Sequence, residues 1–532
     1  MRDIYSREAV SQVPRILSVM DRNMPSATYG CFYRPFWHDK ATDIASAHPQ
    51  MCVLPLALVY RHKFPGSPYH GRKKILDWAV AGMDFWCDIQ KKDGSFDEHY
   101  PNEHSFGAAA WTLYAVIESY ELLKDEMNGR EKDRIFESIT KAAGFLAAGD
   151  EPGKITNHQV IAGYCLQKLH SMTGDESLLK AADRKFRITL DRQSGEGWFL
   201  EYDGCDLGYL TTTISFLAKA FRDTKDSRFL ESARKAIEFS SYFIYPNGFY
   251  GGVIGSRHTT HFHPHGYELL AGHVREAAAM SDRTLKGLSN GYALSPAAVD
   301  QKYLPNLVIE FLLSYLDFSR KRPKAVLPCD GKPFEKYFPE SGMVAAKRDY
   351  YFTANMKKGG VFQVFSKGKS LVDSGISAVD GGRIITSGWL GDCSASVQKG
   401  NMSVSGNFHE VPADYLSSKK MILSRAYLSS VGGRSSFYTK KLLINKLITK
   451  DRKHRAVFER NIRLGSDIEV VDSLRGVKDA VLNSVFASRY VPASRYFQLH
   501  ELDSEDAPIR LDGSFVRREI DGRTLSVKTE FK

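Results

Sequence analysis

The sequence predicts an α+β chain in two main bodies: an N-terminal (α/α) toroid of helical hairpins, then a C-terminal antiparallel β-sandwich. Three observations carry this expectation. Residues from about 45 to 320 read as helix after helix at helical spacing. Those helices carry a faint internal repeat of hairpin size. From about 345 the pattern changes to short β-branched and aromatic runs bounded by Gly, Asp, Asn and Ser. At 532 residues the chain is also too long for one ordinary domain.

The helical elements come in order. In "EHSFGAAAWTLYAVIESYELLK" (103–124), Phe106, Ala110, Leu113, Ile117 and Tyr120 share one face. Similar patterns cover about 72–91, 131–147, 157–173, 176–191, 207–222, 226–243, 267–282 and 300–318. "TGDESLLKAADRKF" from Thr173 matches "TKDSRFLESARKAI" from Thr224 at an offset of 51 residues. Such a beat suggests stacked helix pairs, as a solenoid or a closed toroid, over 1–320.

The connections alternate in character. One set is short and polar. The other is long and rich in Gly, aromatics and His: 91–102, 147–158, 192–208 and 245–266. In a ring of hairpins every second connection emerges at the same end. The four rich loops therefore gather at one mouth, where function sits on loops held by a rigid scaffold. The stretch 321–344, rich in Pro and Lys, reads as a linker, and 345–532 as the sandwich.

No apolar run approaches the roughly 20 residues of a membrane span. The N-terminus lacks the apolar core of a secretory signal, so the expectation is a cytoplasmic chain, or a processed periplasmic or secreted form. The seven cysteines are scattered with no CxxC pair, which points away from zinc knuckles and disulfide frameworks. The formal charge of +11 favours acidic partners. A nucleic-acid partner is disfavoured, because the basic residues are spread and no recognised motif is present.

Several residues at the expected mouth could carry chemistry. Asn157 and His158 sit at a helix start in "KITNHQVIAGY", where Asn also serves as an N-cap. Tyr209 falls in the first turn of a helix that Asp206 would cap. The longest rich loop holds Arg257 with His258, His261, His263 and His265. It reads as a polyanion-facing wall, an extended H-x-H-x-H metal site, or plain surface. Arg34, Trp37, Tyr100, His104 and Trp198 are further mouth candidates, where aromatic rings stack on sugar faces or cap the helical core. His409 is the one histidine between 274 and 453, and it could reach a mouth that the sandwich overhangs.

The Asn157-His158 pair, Tyr209 about 50 residues on, and a His in the sheet domain resemble the heparinase II/III and alginate lyase group of polysaccharide lyases. The resemblance implies that Asn157 and His158 hold and neutralise a uronate carboxylate. It implies that Tyr209 acts as acid and sometimes base, and that His409 can act as second base. The segment around His409 lacks the family's His-Ala-His-x-Asp run, so no metal ligand is assigned. No cofactor is expected; a structural divalent metal is not indicated.

The chemistry suits these residues. The proton beside a carboxylate becomes acidic once the carboxylate charge is neutralised, and Asn157, His158 and Arg257 can do that. Tyr209 needs nearby cations to lower its pKa before it can serve as a base. The expected function is β-elimination on an anionic, uronate-containing polysaccharide. Tyr100, His104, Trp198, Arg34, Trp37, His261 and His265 would bind the substrate. A uronate C5-epimerase uses the same carbanion. A glycoside hydrolase would need paired carboxylates, for which Asp97, Glu98, Glu103, Glu201, Asp203 and Asp206 are available. A non-catalytic polysaccharide-binding protein would not need Tyr209.

Overall fold

The computed structural model describes all residues except 412–416, 448–449, 478, 483–495, 498, 503–506, 511–514 and 532. The ring helices, in chain order, are α1 (Arg2–Val10), α2 (Val53–Arg61), α3 (Lys73–Asp88), α4 (Phe106–Leu123), α5 (Gly129–Ala148), α6 (Thr156–Thr173), α7 (Glu176–Leu190), α8 (Leu207–Thr224), α9 (Ser227–Ser240), α10 (Pro264–Leu270), α11 (Arg275–Ser289) and α12 (Leu304–Leu316). Even-numbered helices form an inner ring. Each packs on the next, and α12 returns to α2 to close it. Among the described residues, no helix is long and apolar enough to cross a membrane.

Sequence separates the two rings. Inner α4 is buried on nearly every face, whereas outer α5 buries a stripe of Ile135, Ile139, Ala142 and Leu146 and turns its charges outward. Side-chain caps start several helices: Ser105, Asn128 in a capping box with Glu131, Asp175, Asp206 and Asp226. Helix α1 locks the seam, with Tyr5 edge-on to Phe311 at 5.6 Å and its hydroxyl donating to Glu268. The single helix expected at 267–282 is two, because the chain turns between Leu270 and Arg275. Asn157 is not the cap of α6. Ile155 holds that place, and Asn157 lies inside the first turn.

The sheet region begins earlier than expected. Strand Phe334–Phe338 already lies within the stretch read as linker. A five-stranded antiparallel meander runs through Phe334–Phe338, Met343–Lys347, Tyr351–Asn355, Val361–Ser366 and Lys369–Asp373. A ten-stranded antiparallel sheet faces it. Phe352, Phe362, Val404, Phe458 and Ile462 fill the space between them. The meander's other side docks on the toroid. Phe365 stacks on Tyr245 at 4.2 Å, and Lys358 Nζ donates to the carbonyls of Val253 and Gly255 at 2.7 Å each. The loop that carries Arg257 is thus held from the sheet side.

One connection in the larger sheet is helical. Between strands Asn401–Glu410 and Lys453–Leu464 lie α13 (Ser418–Leu428), α14 (Val431–Arg434) and α15 (Ser436–Leu447). This strap reaches the toroid. Asn102 Nδ2 donates to the Leu428 carbonyl, and Arg425 pairs with Asp43 at 3.1 Å. Gly433 permits the approach, since a Cβ there would stand 2.8 Å from Asn102 Cβ.

The four clustered histidines are core residues rather than a wall of the mouth. His258, His261, His263 and His265 are all buried. His263 Nδ1 meets Thr212 Oγ1 at 3.0 Å, and His265 Nε2 meets Asp317 at 2.8 Å. Burial pushes the His263 imidazole down to about 4, and His48 likewise to about 4. The unfolded chain takes up these protons below about 6.5, but the folded chain only near 4. Their contribution is therefore intact above the unfolded value and is lost as pH falls toward the folded one, on the order of 3 kcal/mol each. Thermal unfolding in a pH series should show the melting temperature dropping from pH 6.5 toward pH 4. His263→Gln should flatten that drop, and an unchanged slope would refute this role.

Candidate functional site

A cavity of about 290 Å³ opens where α4, α6 and α8 begin. All four long connections reach it: Glu98 and Tyr100 from the first, with Glu103 just beyond it, Asn157 and His158 from the second, Tyr202 from the third, and Arg257 from the fourth. Tyr209, in the first turn of α8, joins them. Helix N-termini carry positive partial charge, so this end of the ring favours an anion. Trp111 lies at the bottom, edge-on to Phe216 at 5.8 Å. Lys440, Leu443 and Ile444 of the strap also line it, as do His48, Lys302 and Tyr303.

Arg257 and Tyr209 are set by one carboxylate. Asp206 caps α8 by accepting from the Tyr209 backbone N–H at 2.9 Å. It also accepts from Arg257 Nε at 2.8 Å and from the Thr259 hydroxyl. The Arg257 guanidinium lies between two rings, 4.4 Å from the Tyr202 centroid and 4.8 Å from that of Tyr209. Its Nη2 is buried with no hydrogen-bond partner, 3.7 Å from Glu201. The Tyr209 hydroxyl meets the Tyr303 hydroxyl at 3.1 Å. Tyr209 was expected to have a lowered pKa. It is instead raised well above 10, because burial outweighs the Arg257 charge.

Asn157 and His158 are oriented by two further carboxylates. A short hairpin, Leu200–Glu201 with Gly204–Cys205, brings Glu201 to the start of α6. Glu201 accepts from the Asn157 backbone N–H at 2.7 Å, and both its oxygens accept from Asn157 Nδ2 at 3.0 Å. Asn157 Oδ1 is left buried without a partner. Burial raises the Glu201 pKa. His158 Nδ1 donates to Glu151 at 2.7 Å, which leaves Nε2 for a ligand. Lys440 Nζ lies 3.5 Å from Glu151 and 3.7 Å from Glu103. Those two carboxylates hold its pKa above the usual value against burial.

Glu98, His99 and Glu103 form the one metal-capable group among the described residues, their ligand atoms within 4.8 Å of one another. Lys302 occupies that corner: Nζ stands 2.8 Å from Glu98 and donates to His99 Nε2 at 3.0 Å. Ammonium contacts already satisfy these groups.

Seven of the residues singled out in the sequence meet here: Asn157, His158, Tyr209, Arg257 and Tyr100, with Glu98 and Glu103 of the candidate carboxylates. The others do not line the cavity. His409 points into the sheet domain, stacked on Trp389 at 5.9 Å with Nδ1 against Asp451. Arg34 is exposed near Asp39, and Trp37 Nε1 donates to the Val19 carbonyl. His104 pairs with Asp93, and Trp198 donates to Glu196. His261 lies behind Tyr209, rings 4.8 Å apart, and His265 is deeper in the ring. Sequence reasoning missed His48, Tyr202, Lys302, Tyr303 and Lys440. Tyr202 alone lay in a rich loop, and its positive φ of 62° shows only in the structure.

The sequence matches no family model and no curated protein. Solved structures do resemble the fold. The chondroitin AC lyase of Streptomyces coelicolor A3, solved with chondroitin sulphate, aligns with a TM-score of 0.57 and 9% identity, over 90% of this chain and 68% of that one. A heparinase III aligns at 0.47 and 13% identity, over 82% of this chain and 64% of that one. A heparan sulfate lyase from Pedobacter heparinus aligns at 0.40 and 10% identity, over 90% and 70%. At such identities the likeness speaks for architecture. The chain has the helical-toroid and antiparallel-sheet fold of that chondroitin AC lyase.

Proposed function

We propose that the cavity cleaves an anionic, uronate-containing polysaccharide by β-elimination. One observation carries this reading: a neutral tyrosine hydroxyl, an arginine whose buried Nη2 makes no hydrogen bond and a carboxylate-oriented histidine share one small cavity. The substrate class also agrees with the net charge of +11 and with the chondroitin sulphate bound by the chondroitin AC lyase that shares the fold.

Arg257 Nη2 and Lys440 receive the uronate carboxylate, which makes the adjacent C5 proton acidic. His158 Nε2 takes that proton, while Glu151 holds the opposite ring nitrogen. The electron pair becomes the C4–C5 double bond, and the glycosidic oxygen leaves C4. Tyr209, kept protonated by burial, donates its proton to that oxygen. The chain is cut without consuming water. The proton gained at His158 balances the one lost from Tyr209. Asn157, with Nδ2 held by Glu201, offers Oδ1 to a sugar hydroxyl.

A hydrolase fits less well. It needs a carboxylic acid that keeps its proton. Cations around Glu98 and Glu103 hold both below the usual range despite burial. Glu201, whose pKa is raised, sits behind Asn157 and does not line the cavity.

Ultraviolet absorbance of the unsaturated uronate tests the reading on alginate, heparan sulfate, hyaluronan, chondroitin and glucuronan. Tyr209→Phe should lower kcat by about 100-fold or more. A flat trace with the intact chain, together with inversion at C5 seen by NMR, would assign an epimerase instead. Lys440→Ala should raise KM more than it lowers kcat. Gly107 offers a geometric check, since a Cβ there would stand 2.4 Å from His158 Cε1. Gly107→Ala should displace the imidazole and cost roughly 100-fold in rate, with little change in melting temperature. An unaffected rate would remove His158 from the mechanism.

A further inference from the structure

The strap that lends Lys440 to the cavity has an outer face of a different kind. Eight of the twenty exposed large apolar side chains among the described residues fall between Met421 and Leu442. Ile422 is 68% exposed, Leu423 71%, Val431 67% and Tyr438 73%. Met421, Tyr427, Phe437 and Leu442 are the others. Concentration of this degree marks an interaction surface. The inner face is already used: Leu428, Thr439 and Ile444 are buried.

Charge narrows the partner. From Ser417 to Leu447 there is no acidic residue. Lys419, Arg434, Lys441 and Lys446 are exposed among the apolar groups. We infer that the strap docks on an anionic lipid bilayer. Apolar side chains enter the headgroup boundary while Lys and Arg meet lipid phosphates, the usual chemistry of interfacial helices. A second copy fits worse, because a two-fold contact would set one acid-free basic face against another. An acidic polysaccharide would satisfy the cations but offers no apolar phase for Ile422, Leu423 and Val431. The inference stands apart from the chemistry of the cavity.

Vesicle co-sedimentation of the full chain tests it. Binding is expected to phosphatidylcholine vesicles containing phosphatidylglycerol, and not to phosphatidylcholine alone. Added salt should weaken it. Ile422→Asp with Leu423→Asp should weaken binding by roughly 50-fold. Lys441→Glu with Lys446→Glu is a second variant, independent of the apolar change, and should weaken it by roughly 10-fold. Melting curves of both should match the unaltered chain, since these side chains are exposed. No binding to anionic vesicles at low salt would overturn the proposal, as would variants that bind as tightly as the parent. A dimer in light scattering that the apolar variant abolishes would assign the face to a second copy and overturn it equally.

Discussion

Asp206 is the group on which the arrangement turns. Its side chain is fully buried, and a buried carboxylate is tolerated only when paired and hydrogen-bonded. Here three donors meet that demand: the Tyr209 backbone, Arg257 Nε and the Thr259 hydroxyl. One residue thereby starts a helix, places a tyrosine and aims a guanidinium. The loop bearing Arg257 comes from about 50 residues downstream, so this link joins two connections of the ring. Lys358 of the sheet region holds the same loop from behind through two backbone carbonyls.

The cavity's electrostatics follow from burial competing with pairing. Most of its charges already have partners: Lys302 with Glu98, Arg257 with Asp206, and Lys440 with Glu151 and Glu103. Such pairs hold geometry rather than supply net attraction. The attraction that remains comes from helix N-termini and from Arg257 Nη2, which makes no hydrogen bond. Burial wins at Tyr209 despite the guanidinium beside its ring, so the phenol stays neutral. A neutral phenol can donate a proton, which is the acid half of the acid-or-base role that the resemblance implied for Tyr209.

Much of the ring was legible because its signals are local. Apolar spacing marks α4, Asp caps start α7, α8 and α9, and alternation in loop character identifies one functional end. Asn157, His158, Tyr209 and Arg257 were legible for the same reason, lying in or just beyond those loops. The remaining lining was not. Lys302 and Tyr303 precede the last ring helix, and Lys440 arrives from a sheet connection nearly 300 residues from His158. No periodicity announces a contact of that separation. The histidine cluster misled for a related reason. Its polar, Gly-rich context resembles a surface loop, yet the ring folds it inward, where Thr212 and Asp317 satisfy it. His409 misled because strand alternation cannot reveal which side of a sandwich faces the toroid; its ring packs on Trp389 within the sheet body.

The position of the strap in the sheet ladder has a further consequence. Its two ends are already neighbours: His409 pairs with Lys453, and the Glu410 N–H donates to the Arg452 carbonyl at 2.9 Å. A segment whose ends meet in this way can grow or shrink at small entropic cost, about 0.6 kcal/mol for each doubling of length. It can be exchanged without disturbing the Asp206-centred frame, because no residue of that frame belongs to it. The strap and the Asp206-centred frame are therefore separable parts that meet at the cavity through Lys440. Descendants of this chain could trade one strap for another, and with it the lining that Lys440, Leu443 and Ile444 supply, while Asp206, Tyr209 and Arg257 stay in place.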